Sequence, residues 1–333
     1  MMNVQTRVLR RSLLFTAGCL LAVALRAQEV PAGAPVPSKT TALSLFGEPL
    51  TAIPMSATAQ QEREERYRVA KAAAEARPDD VEAQVWWGRR AAWLGRFQEA
   101  VDVFSRALVR FPGDPRLLRH RGHRYITLRR FDLAVGDLKE AARRASGGSD
   151  VAEEGEGSAK VPTDTLRSNI WYHLGIAHYL AGDFEAALHA ERECLRLPYT
   201  PDREAGVRFW SYLALRRLGR LEEARRELSP IRPNMAVVEN RAYLLLMMMY
   251  KGELSPDSLL APGVAGNDPL DPVILRYGVG AWYLVEGRRA EAVQLDREVL
   301  TFGQWHSFAH IAAEADLQRL GETPPSRSPA PGA

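Results

Sequence analysis

The sequence contains very little cysteine and, once its first residues are set aside, no surplus of either charge. Cys19 and Cys194 are its two cysteines, which excludes a disulfide-stapled fold and a cysteine-rich zinc module. The 44 Lys and Arg, against 41 Asp and Glu, include four arginines within residues 1–27, where there is no acid. Without that segment 40 basic residues face 41 acidic ones, so a globally basic nucleic-acid binder is disfavoured.

Catalytic and nucleotide-binding motifs are missing as well. The sequence has no G-x-S-x-G, H-E-x-x-H or G-x-G-x-x-G segment and no P-loop. We therefore predict no enzymatic activity and no cofactor. The chain nevertheless has 46% apolar and 26% charged residues, which is enough to bury a core.

The first residues have the pattern of an export signal. A basic stretch ending at Arg11 precedes the apolar run 12–25, and Ala27 offers a small residue for cleavage. We predict a signal peptide over 1–27, a periplasmic protein, and no transmembrane span in the mature chain, because a span needs about 20 apolar residues. The alternative is a membrane-anchored lipoprotein with its lipid on Cys19, since the residues before it loosely resemble a lipidation motif.

Small and aromatic residues recur in the body of the chain with a period of 34 residues. The first copy contains Gly88, Gly95, Phe97 and Ala100. The counterparts in the second copy are Gly122, Arg129, Phe131 and Ala134. After one insertion, those in later copies are Gly175, Gly182, Phe184 and Ala187; Gly219, Leu221 and Ala224; and Gly287 and Ala292. A fixed period of this length indicates stacked copies of one small unit.

The period resembles the tetratricopeptide repeat, whose pattern is W-x2-L-G-x2-Y, then A-x3-F, then P. Segment 171–178 matches the first half with His178 in place of Tyr, and segment 100–112 matches the second half. The resemblance covers about residues 81–300. It implies an all-α fold, a right-handed α-α superhelix of about six helical hairpins with terminal capping helices.

Composition and the repeat together divide the chain into six parts. The turn glycines and the Asp-Pro pairs mark where the helices of the repeats end and begin. In chain order, the predicted parts are a signal peptide 1–27, a Pro/Ala-rich tether with an irregular segment 28–57, an entering helix 58–80, a solenoid 81–303 with an acidic, Gly-rich insertion 147–163, a closing helix 304–321, and a disordered tail 322–333.

In the tetratricopeptide repeat the first helix of each hairpin lines the concave surface. The resemblance implies that the inward positions are Arg89, Arg119, His120, His123, Tyr172, His173, Phe209, Trp210 and Arg216. The second copy, 115–146, has nine Lys and Arg against three acids, so the groove is expected to be basic and aromatic. The resemblance implies a scaffold or protein-interaction module of the bacterial envelope that holds a peptide or protein segment, and the arginines favour an acidic one.

Two alternatives remain open at this point. His120, His123 and His173 occupy neighbouring groove positions and could serve a protein that binds a small ligand or a metal, although lining of a polar groove is the simpler interpretation. The insertion 147–163 is predicted to be a surface loop. Its four acids allow a second interpretation, in which it folds over the basic second copy and competes with the ligand.

Overall fold

Turn glycines and small helix residues allow the chain to fold as a series of helical hairpins. Gly95, Gly182, Gly219 and Gly287 all have left-handed backbone angles, with φ between 72° and 87°, where one helix ends and the next begins. Gly88 lies against the ring of Phe104, which occupies the space that a Cβ would need. These glycines therefore set both the direction of each turn and the close approach of the paired helices.

The computed structural model describes residues 40–53, 55–147, 149–153, 164–264, 266 and 268–325, all in one compact unit. The predicted signal peptide 1–27 with Cys19, most of the predicted tether, and residues 154–163 of the insertion lie outside the described residues. The described part contains fourteen helices and four short strands.

The bounds of the elements follow the repeat. The helices are α1 Ala57–Ala76, α2 Val81–Trp93, α3 Phe97–Arg110, α4 Pro115–Thr127, α5 Phe131–Ala145, α6 Leu166–Ala181, α7 Phe184–Leu195, α8 Pro201–Arg217, α9 Leu221–Leu228, α10 Arg241–Tyr250, α11 Pro256–Leu260, α12 Asp271–Val285, α13 Arg289–Thr301 and α14 Phe308–Arg319. The strands are β1 Thr40–Leu43, β2 Pro49–Thr51, β3 Ala152–Glu153 and β4 Asp164–Thr165.

Helices α2 to α13 form six consecutive hairpins, and neighbouring hairpins pack on one another. Asp80 and Asp114 start α2 and α4, because each carboxylate accepts hydrogen bonds from two backbone amides of the first turn. The all-α solenoid predicted from the sequence is thus confirmed. No helix in the described ranges is both long enough and apolar enough to cross a membrane.

The two ends of the described chain lie together. Strands β1 and β2 form an antiparallel hairpin in the segment predicted to be an irregular tether. The indole Nε1 of Trp305 donates a hydrogen bond to the carbonyl oxygen of Thr51 at 2.7 Å, and the Trp305 ring lies 5.3 Å from that of Phe97. Together with Leu50, these rings form a small second core beside α2 and α3.

Candidate functional site

Helix α14 occupies a large part of the concave face. It packs on α13 and α12 and also reaches α6. Every residue from Ala309 to Leu317 is buried, and five of these nine are alanine or isoleucine, small or apolar enough to fit between helices. The segment predicted to be a closing helix therefore begins its helix at Phe308 and lies against the inner side of the solenoid as well as its end.

Buried ion pairs fix α14 in this position. Glu314 accepts hydrogen bonds from Nε and Nη2 of Arg129 at 3.0 and 2.7 Å, with about 1% of the Glu314 side chain exposed. Burial opposes ionisation of Glu314, but Arg129 and His310 outweigh it and lower the pKa of the carboxyl to about 2. Asp316 pairs with Arg217 of α8 at 2.5 Å. These contacts make α14 part of the folded core.

Arg129 has an unusual backbone for this purpose. It stands where the other copies have a turn glycine, and its φ of 62° makes it the one left-handed residue other than glycine in the described ranges. Such a conformation costs an L-residue about 1–2 kcal/mol. Its guanidinium also donates to the carbonyl oxygen of Trp305 at 2.9 Å. The arginine that stands in place of a turn glycine therefore joins the second hairpin to the segment that precedes α14.

Four of the nine residues predicted to line the groove instead pack or pair with neighbouring side chains of the solenoid. Phe209 and Trp210 are fully buried in the main core, and Tyr172 is 8% exposed. Arg216 contacts the hydroxyl of Tyr212 at 2.9 Å and pairs with Glu286 at 2.7 Å. The structure places these four side chains away from the cavity that remains on the concave face.

The other five predicted residues meet at one cavity of about 220 Å³. It lies where α2, α4 and α6 face one another beside the insertion. Its lining consists of Arg89, Ala92, Trp93, Phe104, Arg119, His120, His123, Arg124, Glu153, Asp164, Asn169, His173 and Glu239. We call it the arginine pocket, because three arginines of α2 and α4 line it.

The three histidines of the arginine pocket are uncharged at neutral pH. Burial, together with Arg119 and Arg124, holds the pKa values of His120, His123 and His173 well below their usual range. Arg119 Nη1 lies 2.7 Å from His120 Nδ1. Because a guanidinium only donates, Nδ1 is the acceptor, and the neutral ring carries its hydrogen on Nε2.

The same histidines are packed as aromatic rings. The rings of His123 and His173 are 4.2 Å apart, and each lies within 6 Å of the Phe308 ring at the start of α14. Within the described residues, no group of three or more His, Cys, Asp or Glu side chains could hold a metal ion. The histidines therefore shape the floor of the pocket and give it hydrogen-bonding groups without adding charge.

The acidic residues of the arginine pocket were not predicted as site residues. Glu153 belongs to the insertion, and its Oε2 lies 3.0 Å from Arg119 Nη2. Asp164 begins the segment after the insertion and pairs with Arg203 of α8 at 2.5 Å. Asn169 links the two, because its amide donates to Glu153 and accepts from Arg203. The four acids of the insertion were the one sequence signal that pointed toward this contact.

A second cavity, of about 480 Å³, lies between the β1–β2 hairpin and the end of the chain. Phe46, Leu50, Phe302 and Trp305 give it apolar walls, and Glu314 lies at its polar end. Glu314 already forms the ion pair with Arg129. The arginine pocket, with its charged groups from five different segments, is accordingly the stronger candidate for a binding site.

Comparison with known families matches one segment of the solenoid. Residues 81–124, which span α2, α3 and most of α4, match the family described as Tetratricopeptide repeat. A crystal structure of a tetratricopeptide repeat protein from Parabacteroides merdae ATCC 43184 is similar to 78% of this chain and 99% of that one, with 14% identity and a TM-score of 0.45.

A second solved structure, of Naa15/Naa10 bound to HypK-THB, is similar to 80% of this chain and 39% of the other, with 14% identity and a TM-score of 0.34. No curated protein matches the chain. The family match to residues 81–124 confirms the resemblance for that segment, and the stacked hairpins make the described part of the chain an all-α solenoid.

Proposed function

We propose that this protein is a non-enzymatic interaction module that holds the carboxylate of a partner protein in the arginine pocket. The observation that carries the proposal is the convergence of Arg89 from α2 with Arg119 and Arg124 from α4 on one cavity. Guanidinium groups bind carboxylates through paired, charge-assisted hydrogen bonds. Solenoids of helical repeats use their concave face for such binding.

The size of the opening favours the end of a chain over an extended segment. Helix α14 packs against α12 and α6, and the arginine pocket measures about 220 Å³, below the roughly 300–1,000 Å³ of drug-sized sites. A cavity of this size accommodates about one terminal residue. Trp93, Ala92 and Phe104 form its apolar wall and would contact the side chain of that residue. A C-terminal carboxylate is therefore the ligand group that we propose.

We also propose that the protein acts in the bacterial cell envelope. The basic and apolar residues within 1–27 support export, and the two forms predicted from the sequence are a periplasmic protein and a lipoprotein anchored through Cys19. Expression with metabolic labelling by a palmitate analogue separates them. A labelled product that loses its label in Cys19→Ser supports the anchor, and a mature N-terminus at Gln28 supports the periplasmic form.

Selection from a peptide library with free C-termini tests the pocket. We expect the enriched peptides to bind through their terminal carboxylate, so that amidation weakens binding by about tenfold or more, as the loss of a charged hydrogen bond worth about 1.5–3 kcal/mol requires. Arg89→Gln should weaken binding to a similar extent. Fluorescence anisotropy with a labelled free-acid peptide and its amide measures both effects.

Arg90→Gln is the matched control. Arg90 follows Arg89 on α2 but stacks between the rings of Trp86 and Trp93, outside the lining of the pocket. Binding should change little in this variant. If amides bind as tightly as free acids, or if the two variants behave alike, the arginine pocket does not hold a carboxylate.

A further inference from the structure

The insertion is anchored to the arginine pocket by a very short strand pair. Strands β3 and β4 contain two residues each and pair antiparallel, with Ala152 opposite Thr165 and Glu153 opposite Asp164. This ladder closes the base of the insertion directly beside α6. It turns the side chain of Glu153 toward the second hairpin, where 14% of that side chain remains exposed.

Glu153 is held there as a bound carboxylate would be. One oxygen, Oε2, lies 3.0 Å from Arg119 Nη2 and also accepts a hydrogen bond from the Asn169 amide. The other, Oε1, faces His120 Nε2 at 3.6 Å, the nitrogen that carries the hydrogen in the neutral ring. Three donor groups from α4 and α6 thus surround one carboxylate.

The donors are oriented before any ligand arrives. Arg203 Nη2 donates to Asn169 Oδ1 at 2.7 Å, and its Nε donates to Asp164 Oδ1 at 2.7 Å. Because a guanidinium cannot accept, the oxygen of the Asn169 amide must face Arg203. The amide nitrogen is then directed toward the carboxylate position. The network selects an acceptor at that position, and a carboxylate oxygen satisfies it.

We propose that Glu153 is an internal ligand, which occupies the carboxylate subsite formed by Arg119, Asn169 and His120 and must leave before a partner binds. This inference rests on the proposed function, because it takes the partner's carboxylate to use the same donors. The insertion thereby regulates the pocket. Opening requires the loss of the two-residue ladder, the ion pair of Glu153 with Arg119 and its hydrogen bond from Asn169, while the six hairpins stay intact.

Charge in the pocket changes when Glu153 departs. Arg89, Arg119 and Arg124 then face Asp164 and Glu239, so the lining gains one net positive charge that an incoming carboxylate neutralises. Asp164 stays paired with Arg203. Glu239 lines the same cavity but is not one of the residues of the carboxylate subsite or its internal ligand. It is therefore a matched acid for separating occupation of the subsite from general charge repulsion.

Affinity for a defined carboxylate tests the inference. The probe is the peptide acetyl-Ala-Ala-Ala-Ala with a free C-terminus, and its C-terminal amide serves as the reference. We expect Glu153→Gln and Glu153→Ala to bind the free acid about tenfold more tightly than the wild-type chain, because each removes an internal charge-assisted contact. The amide should gain nothing. NMR titration of the full mature chain measures these dissociation constants, and the two substitutions guard against a misfolded variant.

Each outcome has a separate meaning. A gain in both Glu153 variants that exceeds the gain in Glu239→Gln supports the internal ligand. Equal gains in Glu153→Gln and Glu239→Gln show long-range charge alone and overturn it. If the wild type prefers the free acid and the Glu153 variants match its affinity, the inference fails while the proposed function stands. If no chain prefers the free acid to the amide, the proposed function fails too.

Discussion

The two halves of the concave face differ in what covers them. The closed half, formed by α6, α12 and the end of α8, is packed against α14 and sealed by the ion pairs Arg129–Glu314 and Arg217–Asp316. The open half, formed by α2, α4 and the first two turns of α6, retains the arginine pocket. Both halves are formed by the first helices of the hairpins, yet one half is buried core and the other contains a cavity.

The difference shows what a repeat position does and does not determine. Arg119 and Trp210 are both predicted to be inward residues of their copies. Arg119 meets a cavity, whereas Trp210 meets other core residues. The repeat therefore sets the direction of a side chain, and the remainder of the chain decides whether that direction leads to solvent.

Removing the ion pair between Arg129 and Glu314 should have the largest effect on stability. Arg129→Met leaves the buried Glu314 without its charged partner, so the free energy of unfolding should fall by about 3–5 kcal/mol. Arg129→Gly loses the same ion pair but removes the left-handed strain of an L-residue, so it should cost about 1 kcal/mol less than Arg129→Met. Urea unfolding of the two variants measures both values.

Two results would contradict this interpretation of the Arg129–Glu314 ion pair. One is a loss below about 0.5 kcal/mol in both variants, which is the size of an ordinary surface change. The other is Arg129→Met being as stable as Arg129→Gly, which would show that the φ of 62° carries no strain. Either result would remove the reason that we give for an arginine at this turn.

The interior of the closed half contains an acid that should be replaceable with a gain. Both carboxyl oxygens of Glu191 are buried beneath Gly175, and no hydrogen-bond partner for them lies among the described residues. Burial raises the pKa of Glu191 well above its usual range, so the folded chain keeps a proton that the unfolded chain releases near pH 4.5. Stability from this group is complete below that pH and is lost as the pH rises. Glu191→Met should raise the free energy of unfolding at pH 8 by about 1–3 kcal/mol.

The comparison of pH 5 with pH 8 sharpens this prediction. Because the penalty for ionisation grows with pH, the gain from Glu191→Met should be smaller at pH 5 than at pH 8. Glu185→Met, an exposed position on the same helix, is the control and should change stability by less than about 0.5 kcal/mol. A destabilised Glu191→Met chain at pH 8 would show that the carboxyl has a partner in solution.

The open half should respond to acid. The pKa of His123 is held well below 6.5 by burial and by Arg124, so the unfolded chain binds a proton there before the folded chain does. Stability is therefore present above about pH 6.5 and is lost as the pH falls, by about 1.4 kcal/mol for each unit by which the pKa is lowered. His123→Phe keeps a ring beside Phe308 and should reduce the loss between pH 7 and pH 5.

The matched control for that measurement is His189→Asn, at an exposed position on α7. It should leave the acid dependence of the free energy of unfolding close to that of the wild type. If His123→Phe and His189→Asn show the same slope between pH 5 and pH 7, the buried ring does not contribute to acid sensitivity.

The parts of the molecule that depend on local pattern could be predicted from the sequence. Turn glycines such as Gly95 and close contacts such as Gly88 with Phe104 follow from the 34-residue period, and so do the hairpins. The return of α14 could not be predicted, because the pair Arg129–Glu314 joins residues 185 apart with no shared motif. Arg129 itself appeared in the repeat alignment as the one arginine among turn glycines.

The site was predictable to a similar degree. The repeat positions contain Arg89, Arg119 and the three histidines of the arginine pocket, but they contain neither Asn169 nor Glu153. Glu153 reaches the pocket through a two-residue strand, which has too little length to leave a pattern in the sequence. The interpretation in which the acidic insertion folds over the basic second copy predicts a contact of this kind from charge alone.

The contacts of α14 with Leu45 and Arg129 change what kind of array this is. In an open stack each repeat contacts only its neighbours, so repeats can be added, removed or unfolded singly. Here Leu45 donates its amide hydrogen to Glu314, 269 residues away, and Arg129 holds the same carboxylate. Contacts between distant residues therefore join the described hairpins in addition to the contacts between neighbours, and we expect these hairpins to unfold together.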